Sequence, residues 1–417
     1  MTAFYTGVIC LCITACFAYI NKRFIGLPTT IGVMFVALLI SLLLIGLNSL
    51  GFAELLVYER RLLANIDFAD VLMDIMLSML LFAAALHVKV TDLRAHKWRV
   101  GILAVFGTLL STAIVAGLTY ALLQWLGFEI AFIWCVLFGA LISPTDPIAV
   151  MGILKSAGAP QSVSTVISGE SLFNDGIGVV LFVLLLEILR LGELPSVWQA
   201  LELFTVEAGG GMLFGFALGW LGFRLMRSID SYQEEVLITL ALVLGGYSLA
   251  SYWHLSGPLA MVISGLMLGN HGREYAMSTQ TQQYVDLFWE LIDEILNALL
   301  FVLLGLEIVI LSVNGNMLLA ATLGIGIALF ARFIAVSSVM TILRRDMVLP
   351  ERSWQVLVWA GLRGGISVAL VLSLPAGGER ELLLTMTYAI VLFSIIVQGL
   401  TIGPLAKRLS NPDLPGM

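Results

Sequence analysis

Long apolar runs follow one another from end to end of this chain. Thirteen segments can be read, near 4–20, 28–48, 68–88, 99–123, 130–154, 162–189, 203–223, 233–253, 256–269, 287–311, 317–343, 354–374 and 382–406. About 20 apolar residues cross a bilayer core, and lipid tolerates only helices or closed barrels. Runs this long therefore imply an all-α polytopic membrane protein with 13 transmembrane helices. The ninth run is short for a span, and 48–67 reads as a loop with room for an interfacial helix. A 60% hydrophobic share with only 12% charge, and a mean hydropathy of +1.02, exclude a soluble globular domain and a disordered chain. The net charge of −7, with no basic block, leaves no case for a nucleic-acid partner. Cys10, Cys12, Cys16 and Cys135 lie in apolar runs and read as packed thiols. The N-terminus lacks the basic flank of a signal peptide.

Charge placement orients the segments. Of the 21 Lys and Arg residues, 15 fall in loops after odd-numbered segments or in the tail, four after even-numbered segments, and two inside spans. By the positive-inside rule the N-terminus lies outside and the C-terminus in the cytoplasm, as expected for a multi-pass protein of the cell (inner) membrane. Residues 1–406 form one transmembrane unit in this reading, and 407–417 a short cytoplasmic tail.

Ionisable groups inside spans are costly and default to function. The fifth span carries Ser143-Pro144-Thr145-Asp146-Pro147 near its middle. Two prolines three apart remove two donors, so a helix there must kink or unwind. Irregular backbone at that depth belongs beside a cavity. Asp146 sits at the break, where it serves an ion, caps the second half-helix, or does both. The sixth span reads Ser168-Gly169-Glu170-Ser171-Leu172-Phe173-Asn174-Asp175-Gly176. Helical spacing sets Glu170 with Asn174, and Ser171 with Asp175, on adjoining stripes, an oxygen-rich set suited to a hard monovalent cation. Arg332 and Arg363 need counter-charges at their depth, and Arg332 is expected to pair with Glu170. Arg363 lies in the glycine-rich stretch Gly361-Leu362-Arg363-Gly364-Gly365, a second candidate for irregular backbone, although snorkelling from a helix end is open to it. The two interruptions are seven spans apart, so they run in opposite directions, as an inverted-topology repeat requires.

The strings LISPTDPIAV (141–150), SGESLFNDGIGVVLF (168–182) and GLRGGISVAL (361–370), with LFVLLGLEI (300–308) and ARF (331–333), resemble the NhaP-like sodium/proton exchangers of the cation:proton antiporter superfamily. The likeness covers nearly the whole membrane region. It implies a mobile core domain interleaved in sequence with a dimerisation domain, two crossed unwound helices, and a homodimer in the lipid bilayer. Carried over by position, Asp175 is the carboxylate that binds the ion and exchanges the proton. Asn174 matches the Asn of an Asn-Asp pair in which electrogenic relatives carry a second Asp. Thr145 and Asp146 match the unwound-helix motif, and Ser171 is a ligand or its neighbour. Asp175, Ser171 and Thr145 are thus the expected ligands of the transported cation. Glu170 and Arg332 match a core ion pair, with Arg363 a supporting charge. Long regulatory tails, common in animal members, have no counterpart in the 11 residues after Ala406.

The implied activity is exchange of sodium, or lithium, for protons by alternating access at one mid-membrane carboxylate. It is electroneutral at 1:1 because Asn174 adds no charge. No cofactor and no enzyme activity are expected beyond the transported Na+ and H+. A potassium/proton exchanger of the same fold is the nearest alternative and an ion channel a more distant one. The Gly-x-Gly-Asp and Gly-x-Ser-Gly motifs of intramembrane proteases are absent. Among other polar groups, Asp74, Glu290, Asp293, Glu294 and Asn297 lie near span ends. Glu294 and Asn297 line an ion funnel or, like the rest, meet interfacial water. His87, like His96, His254 and His271, falls at a membrane edge or loop, with sensing of cytoplasmic pH its lesser alternative. The stripe Gly211, Gly215, Gly219 packs inside the monomer or against a second subunit.

Overall fold

A computed structural model describes residues 3–49, 75–191, 197–306, 314–343 and 353–410. Among these, every regular element is a helix. In chain order the principal ones are α1 (Ala3–Ile20), α2 (Thr29–Ser49), α3 (Leu77–Leu86), α4 (Lys97–Trp125), α5 (Phe132–Ile142) and α6 (Ile148–Ser156). Then come α7 (Gln161–Leu191), α8 (Glu202–Met226), α9 (Tyr232–Tyr252), α10 (Gly257–Met267) and α11 (Thr279–Leu306). The last are α12 (Gly315–Ile342), α13 (Ser353–Trp359), α14 (Gly365–Leu372) and α15 (Gly378–Lys407). Among the described residues, eight helical stretches are long and apolar enough to cross a membrane by themselves. The chain is a multi-pass membrane protein. The region 50–74, with the start of the expected third span, Asp74 and the expected 48–67 loop beyond Ser49, falls outside the described residues, as do 192–196 and residues 411–417 of the expected tail.

The fifth and twelfth segments are each split. Helices α5 and α6 have 11 and 9 residues, α13 and α14 have 7 and 8, and none is long enough to cross alone. Pro144 and Pro147 cause the first break by withholding backbone donors. Glycines cause the second, since they neither pack a side chain nor resist extended backbone. Gly364 takes φ −126° and ψ −155° just before α14.

Two helical segments run longer than hydropathy suggests. The ninth continues past Met267 in helical form to Tyr275. Its polar end is held by Asn270, whose Nδ2 donates to the Val88 and Leu266 carbonyls and whose Oδ1 accepts from the Val90 N–H. Helix α11 begins at Thr279, two turns before the apolar run at 287, with Ser278 Oγ accepting from the Thr281 N–H at its start.

Packing divides the helices into two interleaved bundles. Helix α2 packs on α11, α3 on α10 and α11, and α8 and α9 on α10. Separately, α4 packs on α5 and α12, α7 on α5, and α15 on α12 and α14. Contact between α4 and α12 joins corresponding members of the two halves, the arrangement of an inverted repeat. The bundles meet where α7 touches α10 and α11 touches α14. The α8 glycine stripe is spent inside the monomer. A Cβ at Gly211 or Gly215 would strike the backbone of Ser256 or Ala260, the latter on α10.

Candidate functional site

The two breaks cross and satisfy each other's backbone. Interrupting a helix orphans N–H and C=O groups, which cost free energy when buried. The Asp146 N–H donates to the Leu362 carbonyl at 2.8 Å, binding the first break to the second. In return, the Arg363 guanidinium, 3% exposed, donates to the Ser143 carbonyl and, at 2.8 Å, to that of Pro144. A cation thus sits on the carbonyl end of α5, where the helix dipole is negative. Arg363 does not snorkel. Its length carries the charge inward because two unpaired carbonyls lie within reach.

The second break is finished by α15, in a wide turn over Ser394–Gln398. Ser394 Oγ accepts from the Arg363 N–H at 2.9 Å and donates to Gln398 Oε1, while Gln398 Nε2 donates to the Trp359 carbonyl at 3.1 Å. Sequence reasoning did not single out Ser394 and Gln398. Two polar residues four apart in an otherwise apolar run were the available signal. Gly364 is required by closeness, since a Cβ there would overlap the Asp146 side chain.

Helix α7 supplies the polar face against these breaks. Asn174 Nδ2 donates to Thr145 Oγ1 at 2.9 Å and its Oδ1 accepts from the Thr145 N–H at 3.3 Å, so the amide clamps the unwound segment. Ser171 Oγ lies 3.0 Å from Thr145 Oγ1. One turn along, Glu170 receives both terminal nitrogens of Arg332, Nη2 to Oε2 at 2.9 Å, and Nη2 also donates to the Leu357 carbonyl at 3.0 Å. This fork-to-fork pair is buried on both sides.

Asp175 is placed differently from its neighbours. Its side chain is 5% exposed, and among the described residues no hydrogen bond or ion pair ends on it. It lines a cavity of about 610 Å³ with Asp146, Glu290, Asp293, Glu294 and Asn297. The lining runs from Asp175, midway along α7, to His87 at the end of α3 and Asp286 near the start of α11. The acidic residues of α11 therefore face the cavity instead of interfacial water alone. Asp146 and Arg363 both act electrostatically on Asp175. His87 bonds through Nδ1 to the Ala83 carbonyl at 2.8 Å and stands at the cavity rim.

Thr145, Asp146, Ser171, Asn174 and Asp175 are thereby brought to one crossing point, with the Glu170–Arg332 pair and Arg363 behind them. A carboxylate without a protein donor, next in sequence to Asn174 and at the end of a cavity, can take a proton or a small cation.

Comparison with known proteins agrees with this architecture. The family model described as "Sodium/hydrogen exchanger, transmembrane" matches residues 12–408. The chain is 53% identical over 403 residues to the Na(+)/H(+) antiporter NhaP of Pseudomonas aeruginosa, covering 96% of this chain and 95% of that one. It is 39% identical over 380 residues to the Na(+)/H(+) antiporter NhaH of Halobacillus dabanensis, covering 89% and 91%. Its fold is similar to that of the sodium proton antiporter MjNhaP1 from Methanocaldococcus jannaschii, with a TM-score of 0.75 at 19% identity, covering 98% of each chain. The crossed, mutually capped half-helices, the buried acidic stripe on α7 and these matches lead to one assignment: the chain belongs to the transmembrane family of sodium/hydrogen exchangers.

Proposed function

We propose that this protein exchanges sodium for protons across the cell membrane, one for one, by alternating access at Asp175. The observation that carries the reading is the undonated Asp175 carboxylate at the inner end of an acidic cavity. Relatives over most of its length bear the name Na(+)/H(+) antiporter.

Competition couples the two fluxes. A proton and a cation each cancel the same negative charge, so Asp175 holds one or the other, with Ser171 and Thr145 supplying neutral oxygens to the cation. Left empty, the charged site meets a desolvation barrier when it leaves the water-filled side. Charge counting supports 1:1 stoichiometry. Glu170 and Arg332 cancel. Arg363 offsets one of Asp146 and Asp175, which leaves a single negative charge for one proton or one cation. Asn174 adds none, because it is a neutral clamp on Thr145.

In this reading the chain crosses 13 times, with its N-terminus outside and its C-terminus in the cytoplasm. The cavity then opens to the cytoplasm, since His87 and the start of α11 lie at that end. The bundle of α4–α7 and α12–α15 is the moving core, and that of α1–α3 and α8–α11 is the scaffold of a homodimer.

Proton flux in proteoliposomes tests the proposal, with sodium, lithium and potassium supplied separately and the membrane potential clamped or free. Sodium should drive proton movement at a rate indifferent to the clamp, and Asp175→Asn should abolish it in every cation. Flux surviving Asp175→Asn refutes the site, a potential generated by exchange refutes the stoichiometry, and coupling to potassium alone establishes the alternative cation. Sodium flux without proton counter-flow marks a channel.

A further inference from the structure

We propose that Asp293 and Asn297 of α11 form a second cation site, which holds a monovalent cation in the cavity before it reaches Asp175; the inference rests on the exchange reading above. Asn297 is 1% exposed and lines the cavity. Its Nδ2 donates to the main-chain carbonyl of Asp293, one turn earlier, at 2.8 Å. That bond fixes the amide, because the opposite flip would oppose two acceptors. Oδ1 is therefore turned off its own helix, buried, with no protein donor upon it, and Asp293 Oδ1 is in the same condition. Buried acceptors are normally satisfied, so two unsatisfied oxygens one turn apart at a cavity wall call for a ligand that supplies positive charge.

The surroundings select its class. Glu290 and Glu294 on the same helix, and Asp146 on the core side, act electrostatically on Asp293. Among the described residues that line the cavity there is no Lys or Arg, so the cavity concentrates cations. Among the described residues no three His, Cys, Asp or Glu side chains converge closely enough to hold a metal ion. A divalent ion that needs several carboxylate oxygens is thus poorly served, whereas a partly hydrated monovalent cation is well served by one carboxylate and one amide oxygen.

Position supplies the role. Asp146, Asp175 and Asp293 line one cavity, and Asp146 acts electrostatically on the other two, so a cation held at Asp293 shares the cavity that ends at the exchange site. Asp293 lies on α11, outside the core bundle. A cation held there is close to Asp175 only while the cavity faces this side. The site therefore sets how readily sodium is taken up from the cytoplasmic face and leaves the exchange step to Asp175.

The test is a KM–kcat split read on each face, using everted and right-side-out vesicles carrying the full chain. Asp293→Asn and Asn297→Ala should each raise the KM for cytoplasmic sodium roughly five- to tenfold, as loss of a charge or ligand at close range in a protein environment implies. The KM from the opposite face, and kcat at saturating sodium, should move far less. A KM unchanged in both variants, or raised equally on both faces, overturns the proposal. Binding is read independently by sodium-23 relaxation on purified Asp175→Asn protein. Residual sodium binding should persist there and vanish in Asp175→Asn/Asp293→Asn; binding unaffected by the second substitution also overturns it. Should the unaltered protein prove to carry no sodium–proton exchange, the functional reading fails, while the relaxation experiment still decides the site.

Discussion

The Glu170–Arg332 pair offers a sharp test of what holds the core together. Glu170→Met removes the counter-charge from a guanidinium that has no water to turn to, and Arg332→Met strands the carboxylate in the same way. Breaking a buried pair from one side costs about 3–5 kcal/mol. Changing both, Glu170→Met with Arg332→Met, removes two charges together and fills their volume with apolar atoms. The chief remaining loss is the bond from Arg332 to the Leu357 carbonyl, about 1–3 kcal/mol for a buried acceptor left unpaired. The double variant should therefore be more stable than either single one, with a coupling of at least about 3 kcal/mol. Thermal unfolding of purified protein, followed by tryptophan fluorescence at one scan rate, reads this out. At roughly 2 °C per kcal/mol for a large chain, each single variant should lose about 6–10 °C and the double about 2–6 °C. A double variant that falls by the sum of the two singles would refute the argument, because the two charges would then not be serving each other.

Two further outcomes follow from the crossing point. Gly364→Ala should reduce exchange at least about tenfold, because its methyl must displace Asp146 while the amide of Asp146 stays tied to Leu362; the initial rate in vesicles at normal expression measures it. Asn174→Asp should stay folded, since Thr145 can donate its hydroxyl to the new carboxylate in place of accepting from the amide, and exchange should become electrogenic through the added charge. A potential-sensitive dye in sodium-loaded vesicles reads the second effect, and silence there in an active variant contradicts the charge count.

The two breaks and the buried charges around them were legible in the sequence because their cost is local. Two prolines in an apolar run must break a helix wherever that helix packs, and a carboxylate in hydrocarbon must find a purpose. The same logic drew attention to Arg332 and Arg363, whose guanidinium groups cannot shed their charge. It undervalued α11, whose acidic residues looked like ordinary span-end groups. Only packing shows that Glu290, Asp293 and Asn297 look onto the cavity shared with Asp175. Ser394 and Gln398 escaped notice for a related reason, since a lone hydroxyl or amide in a helix gives no hint that a broken strand of backbone 31 or 39 residues away depends on it.

By itself the sequence determined the helical class, the sites of the two breaks, and the charges buried beside them, because backbone hydrogen bonding and desolvation act through composition and spacing. Beyond the Arg332–Glu170 pair, which was expected, tertiary structure decided who answers whom: Arg363 reaches the Pro144 carbonyl 219 residues away, and Asn174 is spent on Thr145, which leaves Asp175 undonated. Such pairings depend on how whole helices are registered against one another, and no local pattern encodes that register.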